Sequence, residues 1–187
     1  MAPITPAEFR FRFAAWAAVR ASQRGVSGLK VDLALAALRN IGFEELAKNP
    51  TAIPGTVEEF DALHHTWCNT LVAELQPNVN ASYGVAAKVI NVFIKALCLS
   101  DFGSIDPSVS GRTNVFHPPV DRQVLNGLAK SKTLSRTDKI YWRRMRDTGW
   151  TRFDQDTYND VIRRMRILAN NELWRIEAYW SDHAAVI

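Results

Sequence analysis

The chain has 187 residues, 47% of them apolar and 22% charged, ordinary proportions for a globular protein with a real core. No apolar run reaches the roughly 20 residues that a bilayer-spanning helix needs, and the two cysteines, Cys68 and Cys98, lie far apart with no CxxC pattern, which argues against a disulfide frame or a zinc site. The formal net charge is +4 but unevenly spread: residues 1–119 hold 10 basic and 10 acidic side chains, 120–166 hold 12 against 6, and 167–187 hold 1 against 3.

Nearly every segment reads as helix. "MAPITPAEFRFRF" lacks the basic-then-apolar layout of a secretory signal, so a cytoplasmic protein is expected. Within it "TPAEF" is a capping box, with Thr5 as N-cap, Pro6 in the first turn and Glu8 reaching back. That helix should run to about Gln23 and stop near Gly25. A second covers about Leu29 to Asn40, with Gly42 just past its end as the stop. "NPTAIPG" is a loop. "TVEE" is another capping box, Thr56 with Glu59, opening a helix to about Leu75 on which Phe60, Leu63, Trp67, Leu71 and Leu75 form a core stripe. His64 and His65 are adjacent on that helix and diverge by about 100°, so they make no two-ligand metal face.

"QPNVNASYG" is a polar connector. The helix from about Gly84 to Leu99 is apolar almost all round and should be central. Residues 100–119, rich in Gly, Ser, Asp and Pro, form a long loop. Helices then run from Asp121 to about Lys130 and from Ser135, paired with Asp138, to about Asp147. After a turn, a long helix puts Tyr158, Val161, Ile162, Met165 and Leu168 on one side and Arg163, Arg164 and Arg166 mostly on the other. A last helix over "NNELWRIEAYW" packs Leu173, Trp174, Ile176 and Trp180. The six tryptophans read as core anchors. With no alternating strand pattern and no repeat, the expected class is all-α, one compact multi-helix domain over 1–187.

Two charged residues stand out. Lys88 sits among Val85, Ala86, Ala87, Val89 and Ile90 near the start of the central helix. The positive end of the helix dipole and partial burial both disfavour its charge, so its pKa should be lowered and the amine made nucleophilic. Asp121, just after two prolines, opens the next helix, where a carboxylate is favoured. A neutral amine and an ionised carboxylate on one cleft make a usable pair: the carboxylate can take a proton or stabilise positive charge on a sugar. The basic 120–166 stretch is a candidate footprint for phosphate.

"GVAAKVINVFIKAL", from Gly84, resembles the second half of the helix-hairpin-helix motif in the HhH-GPD superfamily of DNA glycosylases, and "HPPVDRQVL" resembles its Pro-Val-Asp segment. The Lys/Asp pair is most similar to that of the 8-oxoguanine DNA glycosylase/lyases. The resemblance implies a glycosylase-like all-α fold, with the hairpin near 57–99. It implies DNA as partner, no cofactor and no metal, with Lys88 attacking the anomeric carbon and Asp121 assisting. The hairpin amides at Gly84, Val85 and Ala86, together with Arg122, Lys130, Lys132, Arg143 and Arg144, would hold phosphates. Phe116, His117 and Trp150 are the candidates to stack on a flipped base. The sequence departs from the pattern at Ala86, where a second glycine is usual, in a connector without Leu-Pro-Gly, and in a spacing of 33 positions between Lys88 and Asp121. Two other readings stand beside it: a non-catalytic nucleic-acid-binding module on the same scaffold, and an all-α interaction protein such as a toxin–antitoxin or phage-defence component.

Overall fold

Caps set the path of the chain. Thr5 Oγ1 accepts from the Glu8 amide at 3.2 Å and opens α1, Pro6–Ser22. The carboxylate of Glu8 does not complete the box; it pairs with Arg12 and with Arg39 instead. Gly42, at φ +87°, both ends α2, Val31–Asn40, and begins a short α3, Phe43–Lys48, that the sequence pattern does not reveal. Thr56 caps α4, Val57–Leu75; α5 is Tyr83–Leu99. Asp121 caps α6, Arg122–Lys130, Ser135 caps α7, Arg136–Thr148, and Asp154 caps α8, Gln155–Leu168. Short 3-10 turns cover Pro50–Ala52, Gly111–Asn114, Trp150–Arg152 and Leu173–Tyr179. The structure, a computed structural model, describes residues 4–99 and 111–180, and among these there is no strand. Most of the expected 100–119 loop lies outside the described residues.

The fold is all-α and compact, and α5 is its axis. Val85, Ala86, Ala87, Val89, Ile90 and Phe93 are all buried along it. Ala14, Ala15 and Ala18 of α1 are also fully buried, and their small size lets α1 lie close along α5. Phe93 is boxed by Phe43 and Phe11 in edge-to-face contacts at 4.9 and 5.9 Å between ring centroids, each worth on the order of 1 kcal/mol beyond the burial itself. α4 packs on another side of α5, and α6 pairs with α7.

Three local expectations are corrected. The buried stripe of α4 is Phe60, His64, Cys68, Leu71 and Leu75, turned from the predicted one because α5 supplies a polar partner for His64. The last helix is a 3-10 turn whose Trp174 is 52% exposed and bonds Asn114 through its indole N–H. Trp16 is also exposed; with Phe9 and Phe13 it forms an exposed aromatic stripe along α1. Among the described residues no helix is long and apolar enough to cross a membrane.

Candidate active site

Lys88 and Asp121 meet. The Lys88 Nζ lies 3.3 Å from Asp121 Oδ2, and the two residues are 5% and 8% exposed. The other carboxylate oxygen, Oδ1, accepts from the Gln123 and Val124 amides at 2.8 and 3.1 Å, so capping α6 also orients Oδ2 towards the amine. Trp150, held in the 3-10 turn after α7, places its ring centroid 4.4 Å from Nζ. Burial pushes the Lys88 pKa down. The Asp121 charge and hydrogen bond push it back up without cancelling the shift, and Arg24 lowers it further.

The pair lies on the wall of a cleft of about 1280 Å³. Its apolar lining includes Phe13, Ala17, Val92, Ala96 and Pro119. Besides Lys88, its positive charges come from four separate parts of the chain: Arg20 and Arg24 around the end of α1, Lys95 on α5, Arg122 on α6 and Arg146 on α7. Lys95 is neutralised by Glu177, and Arg146 Nε holds Asp147 at 2.9 Å. Phe13, Ala17, Arg20, Ala21 and Arg24 recur at helical spacing, so one face of α1 forms a whole wall. Composition hid this wall, because the first 119 residues balance in charge.

Behind the site a buried polar network fixes the segment that leads to Asp121. Asn91, one turn after Lys88, donates to the Pro118 carbonyl at 3.1 Å and to the Tyr158 hydroxyl at 2.9 Å, and its Oδ1 lies 2.8 Å from His64 Nε2. His117 Nδ1 lies 3.0 Å from that hydroxyl, and its Nε2 lies 2.9 Å from Asp61, which Arg166 also grips. One run of donors satisfies every group: His64 Nε2–H to Asn91, Asn91 to Tyr158, Tyr158 O–H to His117, and His117 Nε2–H to Asp61. Both imidazoles are then neutral, in line with burial lowering both pKa values. For Asp61, burial opposes the charge but the Arg166 and His117 hydrogen bonds outweigh it and lower the pKa. Asn91→Leu keeps the branched shape and leaves the His64, Pro118 and Tyr158 groups short of a partner. We expect a loss of about 2–4 kcal/mol in urea denaturation.

Of the residues named from sequence, Lys88, Asp121, Arg122 and Trp150 come together. The hairpin residues do not face solvent: Gly84, Val85 and Ala86 are buried, and their amides go to Phe153 O, Ser82 Oγ and Ser82 O. A phosphate cannot use donors already spent inside the protein. His117 belongs to the network just described, and Phe116 packs on Phe60 at 5.5 Å; neither lines the cleft. The extended "HPPV" segment puts three residues between His117 and Asp121, and the two side chains reach different parts of the molecule. Lys130, Lys132, Arg143 and Arg144 are exposed but outside the cleft lining; α7 turns Arg146 towards it instead. Among the described residues no group of three His, Cys, Asp or Glu side chains is arranged to hold a metal ion. No protein-family model, curated protein or solved structure matches the chain.

Proposed function

We propose that the cleft takes a nucleotide swung out of DNA and that Lys88 displaces its damaged or modified base. The observation that carries this is the Lys88–Asp121 contact of 3.3 Å on a cleft large enough for a nucleotide; pockets of roughly 300–1,000 Å³ suffice for ligands of that size. A base inside a duplex cannot be reached, so the nucleotide must leave the stack. Lys88, in its unprotonated form, then attacks the anomeric carbon. The N–C bond forms as the glycosidic bond breaks, and the base leaves with that electron pair and gains a proton. Asp121 stabilises the positive charge that builds on the sugar and receives the proton the amine gives up. Opening of the sugar ring gives an imine, and loss of the neighbouring C2′ proton expels the 3′ phosphate and nicks the strand. Phe13, 43% exposed on the cleft, offers a face for the extruded base.

Borohydride reduction in the presence of abasic-site DNA tests the reading, since it freezes the imine as a stable amine. A covalent adduct is expected. No adduct at any pH removes the lyase reading; salt-dependent binding without an adduct then points to a non-catalytic nucleic-acid module, and no affinity at low salt points to an interaction protein.

The pH profile is a second check. The reacting amine must be unprotonated, and burial holds the Lys88 pKa below the ordinary 10.5. Adduct formation should therefore rise with pH and level off at a midpoint below that value. Stability should rise in the window above that midpoint and below the ordinary 10.5: there the unfolded chain still keeps the Lys88 proton while the folded chain has lost it, so raising pH favours the folded state. Lys88→Met should abolish that part of the slope.

A further inference from the structure

Beside the cleft lies a depression of about 370 Å³ bounded by Arg122, Arg146, Asp147, Gly149, Trp150, Thr151 and Arg152. It shares Arg122, Arg146, Asp147 and Trp150 with the cleft and opens from it on the Arg152 side. We propose that this depression is a phosphate subsite, filled by the phosphate that flanks the nucleotide in the cleft; the proposal rests on the nucleic-acid reading above.

Three guanidiniums face one acid there, and two of the three are held in place. Arg152 donates to the Thr148 carbonyl at 2.5 Å and to the Asp147 carbonyl at 2.8 Å, which ties it to the end of α7. Arg146 is held by Asp147 at 2.9 Å and reaches Asn126 at 3.4 Å. Each keeps further N–H groups, because a guanidinium carries five. Arg122 is exposed in the first turn of α6 and close enough to add to the lowered pKa of Asp147, behind the larger effect of Arg146. Gly149, at φ +84°, has no side chain to cover Arg152; a Cβ there would sit 3.8 Å from its nearest guanidinium nitrogen. A planar fork matches a phosphate through two parallel hydrogen bonds, and forks already fixed lose little freedom on binding. Position adds to the case. The subsite adjoins Trp150, whose ring faces the Lys88 amine, so a phosphate bound there keeps its own sugar next to the nucleophile.

The test measures the affinity of the full chain for a labelled duplex carrying a reduced abasic-site analogue, as a function of salt. Arg122→Gln and Arg146→Gln should each weaken binding and cut the slope of log affinity on log salt by about 0.9. Lys48→Gln, on α3 away from the cleft, should leave the slope as it is. Unchanged slopes in both arginine variants, with wild-type binding intact, overturn the subsite and leave the nucleic-acid reading standing. If the wild type binds no duplex, phosphorus NMR with inorganic phosphate and with a nucleoside 5′-monophosphate decides. Binding lost in Arg122→Gln keeps the subsite as a site for a free phosphate group and sinks the nucleic-acid reading. No binding of either probe sinks both.

Discussion

Lys88→Ala yields no borohydride-trapped adduct with abasic-site DNA, with a loss of roughly 10³-fold or more in single-turnover rate, whereas Lys95→Ala still gives the adduct. The two lysines make a fair comparison. They are seven positions apart on α5 and line the same cleft. The amine of Lys95, however, is ion-paired with Glu177 and partly exposed, so it lacks both the burial of Lys88 and its contact with Asp121. Lys88 is the buried amine with the lowered pKa and the carboxylate at hand. Removing it leaves Asp121 with both of its amide hydrogen bonds, so α6 stays capped and the variant should fold. Asp121→Asn separates charge from structure, because asparagine caps a helix about as well as aspartate. It should keep the cap of α6 and lose about 10²- to 10⁴-fold in rate. If Lys88→Ala gives a full adduct, the nucleophile lies elsewhere.

Gly84→Ala should be severely damaging for so small a change, costing about 3 kcal/mol or more of stability. A Cβ on Gly84 would stand 2.1 Å from the Trp150 carbonyl oxygen and 3.0 Å from Phe153 Cβ. Both neighbours are buried, and the Gly84 amide donates to the Phe153 carbonyl at 3.0 Å, so the contact cannot open without breaking that bond. Alanine's helix preference returns only about 1 kcal/mol, so sterics win. The displaced piece is the turn that carries Trp150, and the variant should also form adduct more slowly at temperatures where it is folded. Urea denaturation measures the first effect and borohydride trapping the second. A variant as stable as wild type would mean that the turn is not seated against α5 as described.

What the sequence made legible was local. Thr5, Thr56, Ser135 and Asp121 announce helix starts because a cap acts within three residues of itself. Gly42 marks a stop because its left-handed φ belongs to the turn alone. Lys88 and Asp121 were readable for the same reason: each is odd for its own segment, an amine in an apolar helix and a carboxylate after two prolines. What stayed hidden depends on partners far along the chain. His64 is a core residue because Asn91, 27 positions away, takes its N–H. Arg20 and Arg24 belong to the cleft because α1 lies on α5, and no property of their own segment says so. Gly84 looks like a hairpin glycine, yet its missing side chain makes room for the carbonyl of Trp150, a neighbour supplied only by the folded chain.

The turn Leu173–Tyr179 rests directly on α6, since a Cβ on Gly127 would fall 1.8 Å from the Tyr179 carbonyl oxygen. That seat delivers Glu177 to Lys95 and Trp180 to the edge of the hollow. The turn therefore acts as a clasp that also sets the polarity of the cavity: lifted off its helix, it would bare a second amine on the wall of the hollow. How strongly this chamber attracts anions thus depends on whether this turn is docked.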